Sequence, residues 1–326
     1  MTKSTIVIPN YNGITYLEQC LESIFTGTTA DVAVIVVDNA STDGSVSMIE
    51  TKFPQVRLIL NNVNTGFSVA VNQGIEASET PYVILLNNDT RVDRIFVREL
   101  ERVLDDDREK KVFSVSAKLI SLYDKDKTDD AGDFYCALGW AFARGKGKNP
   151  ARYDKNCAIF ASCAGGAIYR RELLSPEKVG LFDEAHFAYF EDIDIGYRAK
   201  LHGYQNQFAP NAVVYHAGSA TSGSRYNAFK TKLASRNSVY LVYKNMPILQ
   251  LLLNLPFLVV GFSVKTMFFV RKGFGKEYVS GLTDGIKLSL SPAGKAHKQK
   301  FRMERLGNYI RIQLELWGNL VRLVTG

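Results

Sequence analysis

Tyr82-Val83-Ile84-Leu85-Leu86-Asn87-Asn88-Asp89-Thr90 is an unbroken apolar run that stops at three polar residues, the last a carboxylate. Such a run reads as a strand buried on both faces, the kind found in parallel sheets with helices packed above and below. Open sheets of this type take their ligands just beyond the carboxyl ends of the strands. Asp89 therefore falls where chemistry is expected. The same residues also suit a plain turn, because Asn and Asp bond their own backbone. The rest of the chain has to separate the two.

Apolar runs and helix-period segments alternate on both sides of that strand. Thr5 to Pro9, Val32 to Asp38 and Val56 to Leu60 read as strands. Thr15 to Phe25, Asp43 to Phe53 and Gly66 to Ala77 carry helical periodicity. Arg94 to Leu104 adds a helix and Val112 to Leu122 a strand. Repeated strand–helix alternation predicts βαβ units, hence an α/β fold with a mostly parallel sheet. From Asp124 to Asn156 the pattern dissolves into Asp, Lys, Gly and aromatics, and an irregular functional or mobile segment is expected there. Order resumes at Cys157 to Tyr169 and runs to about Ala220. This divides the chain into a catalytic domain over 1–225, with halves of about 1–122 and 123–225, and a helical extension over 226–326.

The extension differs in kind. Met246 to Val270 is strongly apolar but is interrupted by Gln250, Asn254, Pro256 and Lys265. A crossing helix needs about 20 mostly apolar residues, so lying in the membrane interface is the better reading. The alternative is a helical pair closing the soluble core. From Arg271 onward eleven Lys/Arg face four acids, a net +7 equal to that of all 326 residues. Such an end seeks an anionic membrane or nucleic acid. Its apolar neighbour, rather than stacking aromatics on a strand, favours the membrane and argues against nucleic acid. The four cysteines (Cys20, Cys136, Cys157, Cys163) form no Cys-x-x-Cys pair, which fits a reducing compartment. Met1 to Ile8 has no signal-peptide pattern. A cytoplasmic protein on the inner face of the plasma membrane is expected, with its oligomeric state open.

Four strand ends would converge in such a sheet: Pro9-Asn10-Tyr11-Asn12-Gly13, Asp38 to Gly44, Asn61 to Gly66, and Asn87-Asn88-Asp89. Neither a Walker phosphate loop nor a dinucleotide Gly fingerprint is present. A nucleotide would contact carboxylates and amides, and its phosphates would need a metal, since these loops carry no Lys. Further on, Phe190-Glu191-Asp192-Ile193-Asp194 puts three acids within four positions. Glu191 and Asp194 suit a helix start, while Asp192 is free to face a pocket. Cys163-Ala164-Gly165-Gly166-Ala167 is small enough for backbone to approach a ligand. His216 ends a short apolar strand, and with Asp89 it would make a mixed oxygen and nitrogen site suited to manganese or magnesium. His186, His202 and His297 read as structural or surface residues.

Val7-Ile8-Pro9-Asn10-Tyr11-Asn12, Val37-Asp38-Asn39-Ala40-Ser41-Thr42-Asp43-Gly44, Asn64-Thr65-Gly66-Phe67, Leu86-Asn87-Asn88-Asp89, Gly165-Gly166 and Phe190-Glu191-Asp192-Ile193-Asp194 occur in that order. The series resembles the inverting family 2 glycosyltransferases of GT-A fold, nearest their bacterial rhamnosyltransferase-like branch, over about Thr5 to Thr221. The resemblance implies sugar transfer from a nucleoside diphosphate donor to a hydroxyl of a glycan or lipid-linked glycan in cell-surface polysaccharide synthesis. It makes Asp192 the general base, Asp89 and His216 the ligands of Mn2+ or Mg2+, and Asp38 a contact to the base. Pro9, Tyr11, Asn12, Gly66, Asn87 and Asn88 would complete the donor site, and Gly165, Gly166 and Glu191 the sugar or acceptor pocket. The family's usual Asp-x-Asp stands here as Asn87-Asn88-Asp89, with an amide for the first carboxylate. dTDP-rhamnose is the expected donor, with UDP-galactose or UDP-glucose next. A nucleotidyltransferase would place basic residues in the first loop, where Pro9 to Ile14 has none. A non-catalytic nucleotide-sugar-binding protein would not need the acid cluster.

Overall fold

A computed structural model describes residues 2–218 and 226–325. The expected boundary at 225 and the far end of the resemblance at Thr221 lie outside the described residues. In chain order the elements are β1 (Ser4–Asn10), α1 (Ile14–Glu22), β2 (Val32–Asp38), α2 (Ser45–Lys52), β3 (Arg57–Leu60), α3 (Phe67–Ala77), β4 (Tyr82–Leu86), β5 (Thr90–Val92), α4 (Phe96–Asp106), β6 (Val112–Ser121) and β7 (Thr128–Asp130). They continue with β8 (Asp133–Tyr135), β9 (Ala141–Ala143), β10 (Cys157–Ile159), β11 (Gly166–Arg170), α5 (Glu191–Leu201) and β12 (Gln205–His216). The extension supplies α6 (Ala228–Asn245), α7 (Ile248–Arg271), α8 (Gly275–Leu290), α9 (Pro292–His297) and α10 (Leu306–Thr325).

The main sheet has the order β10-β12-β6-β11-β4-β1-β2-β3, with β5 added to β12 and β7 to β6. The first four strands are parallel, as the βαβ pattern requires. Beyond β4 the sheet becomes mixed: β11 runs antiparallel between β4 and β6, while β12 is parallel to β6. All five residues of β4 are buried. Tyr82, Ile84 and Leu86 enter a core shared with α1 and α4. Val83 and Leu85 enter a second core against α3 and α5. Burial on both faces is what removes the polar alternation from the run, at about 1.5–3 kcal/mol of stabilisation for each large side chain.

Asp124 to Asn156, expected to be irregular and functional or mobile, is largely turns around three short strands. It holds β7, β8 and β9, and Phe134, Tyr135 and Ala137 are buried in a third core. Strands of three residues are too short to show a period. That core also takes Phe160 and Tyr197 from the catalytic half and Leu241, Leu258 and Leu316 from the extension. The C-terminal helices are therefore packed into the domain over a common core.

Helix α7 is inside out. Its buried residues are Gln250, Asn254, Leu258 and Gly261, on one face at helical spacing. Gln250 accepts from Tyr197 Oη at 2.6 Å, and Asn254 exchanges hydrogen bonds with Gln313 of α10 at 2.8 and 2.9 Å. Ile248, Leu249, Leu252, Val259, Val260 and Met267 are exposed instead. Of the interruptions that argued against insertion, Gln250 and Asn254 face the protein, Lys265 is half-buried over the Trp140 ring, and Pro256 is exposed.

Candidate active site

The polar loops at the ends of β1, β2 and β4 are bonded to one another. Asn10 Nδ2 donates to Asp38 Oδ2 at 2.7 Å and to Ser41 Oγ at 3.1 Å. Asn88 Nδ2 donates to Asn10 Oδ1 at 2.7 Å. Asn12 N–H donates to Ser41 Oγ, and the Asn12 side-chain Oδ1 accepts the N–H of Thr42. Asn10, Asp38 and Asn88 are buried, so they build the cradle, whereas Tyr11 and Asn12 stand at its surface. Pro9 lies within β1. Gly66, with φ of 85°, marks a close approach: a Cβ there would sit 2.5 Å from the Phe187 ring.

Asp89 and His216 meet across the sheet. Strand β5, which follows Asp89, pairs antiparallel with the end of β12 and sets Thr90 opposite His216. His216 Nε2 lies 3.2 Å from Asp89 Oδ1 and 3.4 Å from Asn87 Nδ2. Its Nδ1 lies 2.7 Å from Asp129 Oδ2 of β7. A carboxylate on one imidazole nitrogen orients the other toward a metal, an arrangement common in metal sites. A donor set of one carboxylate and one imidazole suits Mn2+ or Mg2+, and Asp89 and His216 are the residues that would hold such an ion. Without a metal, burial opposes the imidazolium. The hydrogen bonds to Asp129 and Asp89 outweigh that and lift the His216 pKa to about 9. Lys146 bonds Asp129 at 2.8 Å, so a cation does reach this region, from a segment remote in sequence.

Asp192 lines a cavity of about 260 Å3 with Asp133, Phe142, Tyr189, Glu191 and Ala234. Burial lifts its pKa to about 6, while the Ile193 N–H, at 2.7 Å, works against the rise. Burial and the neighbouring charges of Asp130 and Asp192 push Asp133 well above the carboxylate range. Burial and the Asp192 charge do the same to Glu191. Asp192 is therefore the acid of this trio that ionises first, with protonated Asp133 available as its hydrogen-bond donor. Glu191 and Asp194 do not cap α5 as expected. Glu191 is buried with Oε2 unpartnered, and Asp194 turns inward to Arg198, Lys244 and Asn245.

Gly165 packs against the Asn87 side chain, whereas Gly166 opens β11 and faces the core. A Cβ on Gly165 would lie 2.9 Å from Asn87 Nδ2, and one on Gly166 would meet Leu119 and Val214 in the core. Asp183, His186 and Asp194 also come close enough to suggest a cation site. The Lys244 ammonium already fills that role, 2.6 Å from Asp183 and 2.8 Å from Asp194. Sequence reading missed Asp129, Asp133 and Lys146, because the segment carrying them shows no periodicity.

A buried α/β sheet whose strand-end loops interlock beside paired carboxylates and a histidine is the arrangement of a glycosyltransferase of GT-A fold. Comparison with known proteins agrees: the model of "Glycosyl transferase family 2" matches residues 5–175, and the chain belongs to that family. It is a glycosyltransferase. A relative in Mycobacterium tuberculosis, N-acetylglucosaminyl-diphospho-decaprenol L-rhamnosyltransferase, is 27% identical over 242 residues, covering 67% of this chain and 77% of that one. A teichoic acid poly(glycerol phosphate) polymerase of Staphylococcus epidermidis is 36% identical over 93 residues, covering 27% of this chain and 13% of that protein. Among solved structures, the Pyrobaculum calidifontis mannosyltransferase in complex with GDP-Man and Mn2+ has a TM-score of 0.54 at 18% identity, covering 96% of this chain and 86% of that one. S. aureus TarS 1-349 with UDP-GlcNAc also has a TM-score of 0.54, at 14% identity, covering 97% and 84%.

Proposed function

We propose that the enzyme transfers a sugar with inversion from a nucleoside diphosphate donor to a lipid-linked glycan, with dTDP-rhamnose as the first donor to test. One observation carries this reading. Consecutive residues of β7 serve two groups: Asp129 binds His216 beside Asp89, and Asp130 lies against Asp133 in the carboxyl cluster that contains Asp192. A diphosphate end and a proton-accepting end are thereby tied to one short strand. Asp192 accepts the acceptor hydroxyl's proton as that oxygen attacks the anomeric carbon. Tyr11, Asn12 and the Asp38 cradle hold the nucleotide. A metal bound by Asp89 and His216 would supply Lewis-acid stabilisation of the leaving diphosphate. The relative's polyprenyl-linked substrate supports a lipid-linked acceptor and the rhamnosyl donor. Nucleotide release from dTDP-rhamnose, UDP-galactose and UDP-glucose, with the anomeric configuration of the product, tests the reading; retention of configuration would end it.

Asp129→Asn is expected to weaken manganese binding about ten- to a hundredfold, as loss of a carboxylate behind a ligating histidine usually does. Asp89→Ala and His216→Ala should abolish manganese-dependent donor binding. Manganese titrated by calorimetry, with no substrate present, checks this directly. Full activity in excess chelator would sink the metal assignment.

The extension, taken as a unit from 226 onward, lies on the anionic inner face of the plasma membrane. Support comes from α7, whose exposed face is apolar, and from the basic residues after it, each worth about 1 kcal/mol near anionic lipid. Both ends of α7 are fastened to the protein: Gln250 to Tyr197, and Phe269 by stacking on Tyr278 at 4.9 Å. A helix so held lies along the surface rather than crossing. Trp140 Nε1 donates to the Gly261 carbonyl at 3.1 Å, joining α7 to the β8–β9 hairpin whose Phe142 lines the cavity. Leu249→Glu, Val260→Glu and Met267→Glu combined should release the protein from phosphatidylglycerol vesicles without lowering its Tm. Vesicle flotation unchanged by the triple substitution would place the docking face elsewhere.

A further inference from the structure

The backbone leading into Glu191 and Asp192 is strained. Phe187, Tyr189 and Phe190 have φ of 64°, 69° and 71°, in the left-handed region that bulky side chains rarely adopt. Each such residue costs of order 1–3 kcal/mol and persists only where its surroundings over-determine it. Two elements do so here. From one side, the Phe187 carbonyl accepts the N–H groups of Phe67 and Ser68 at 2.6 and 3.1 Å, at the start of α3. From the other, Asn237 of α6, with 0% exposure, donates Nδ2 to the carbonyls of His186, Ala188 and Tyr189 at 2.8, 2.8 and 2.7 Å. Arg236 Nη2 adds bonds to the carbonyls of Ala185 and His186 at 2.7 and 2.8 Å. Arg236 Nε also donates to Asn237 Oδ1 at 2.9 Å, which fixes the amide with its NH2 toward the turn.

We propose that Asn237, in the C-terminal extension, is a positioning residue for transfer: its amide clamps the strained 186–190 turn and thereby sets the Asp192 carboxylate over the cavity. This rests on the reading of Asp192 as general base. The turn meets the donor site at Gly66, where a Cβ would sit 2.5 Å from the Phe187 ring, while the Asn10, Asp38 and Asn88 side chains of the cradle are tied to one another, so loss of the clamp strikes turnover more than donor affinity. The extension is then part of the catalytic apparatus as well as a membrane support.

The test is Asn237→Asp, which keeps the shape and the acceptor for Arg236 but turns a donor into an oxygen facing three carbonyls. Ser238→Ala is the control, since the Ser238 hydroxyl is buried on the same helix and, among the described residues, bonds the Ser235 carbonyl rather than the turn. Whichever of dTDP-rhamnose, UDP-galactose and UDP-glucose is turned over serves as the probe, and kcat, its KM and its Kd are measured with melting curves. A loss of kcat of about a hundredfold, the scale of a 1 Å misplacement, is expected for Asn237→Asp with donor Kd shifted far less and Ser238→Ala at the wild-type rate. Arg236→Gln, milder to folding, should lose less in the same sense. Wild-type kcat in both clamp variants, or equal losses in Ser238→Ala, overturns the proposal. Asp192→Asn run alongside separates the two readings. If it stays active while Asn237→Asp does not, the clamp stands and positions another group.

Discussion

Asp192→Asn is expected to bind donor as the wild type does and to transfer sugar about two to four powers of ten more slowly, the usual worth of a positioned general base. The amide keeps the shape of the side chain and its place on the cavity but accepts no proton. The neighbouring acids are poor substitutes. Burial and adjacent negative charge hold Asp133 and Glu191 well above the carboxylate range. At neutral pH they are donors, whereas Asp192, near 6, is the ionised member. The sign of the pH dependence follows. The base works only when ionised, so the wild-type rate should climb as pH rises through about 6 and level off above it. Residual activity in Asp192→Asn should lack that limb. Donor Kd by calorimetry and kcat from pH 5 to 8 decide the matter (a pH range chosen to bracket about 6). A variant at the wild-type rate would overturn the assignment of Asp192 as the base.

Residues whose role is set by a long element were legible in the chain. The apolar run of β4 shows its burial directly, because Ile84 and Val83 point into different cores and neither position tolerates a polar side chain. Asp89 follows from that, since it ends the strand. His216 was legible for the same reason at the end of β12, and the pairing of β5 with β12 brings the two together. Asp129 and Asp133 were not, because β7 and β8 have three residues each and their carboxylates look like those of any polar loop. Helix α7 was misread in detail. Gln250 and Asn254 count against insertion in a linear hydropathy argument, yet both turn toward Tyr197 and Gln313. Asp194 misled for a related reason: an acid in the first turn of a helix suits its dipole, but its partner, Lys244, lies 50 residues away and no local pattern announces it.

Lys244→Met should cost about 3–5 kcal/mol of stability, the scale on which breaking a buried ion pair from one side destabilises a fold. Lys244 is almost wholly buried and serves two carboxylates that are equally so, Asp183 at 2.6 Å and Asp194 at 2.8 Å. Arg198 Nε, at 2.9 Å, and Asn245 Nδ2, at 2.8 Å, help Asp194 but do not touch Asp183. Tyr240 Oη donates to Asp183 Oδ2 at 2.9 Å, and His297 Nδ1 lies 2.9 Å from its Oδ1; the first is neutral and the second half exposed, so neither replaces the buried ammonium. Methionine matches the length of lysine, so the loss is one of charge rather than volume. Burial raises the Asp183 pKa, but attraction to Lys244 more than reverses this and brings it from 3.8 to about 2. A carboxylate with a depressed folded pKa contributes stability that is full above its unfolded pKa and fades as pH falls through the folded one. For wild-type Asp183 that window runs from near 4 down to about 2. In Lys244→Met the same group is a buried anion without its cation, which acid relieves by protonation. The deficit of the variant should therefore be largest at pH 7 and shrink toward pH 4, where the wild type still holds its ion pair (both pH values chosen around the ordinary carboxylate range, about 4). Urea unfolding at the two pH values measures it. A deficit that is small, or that does not change on acidification, would mean that Arg198 and Asn245 suffice for Asp194 and that Tyr240 and His297 suffice for Asp183.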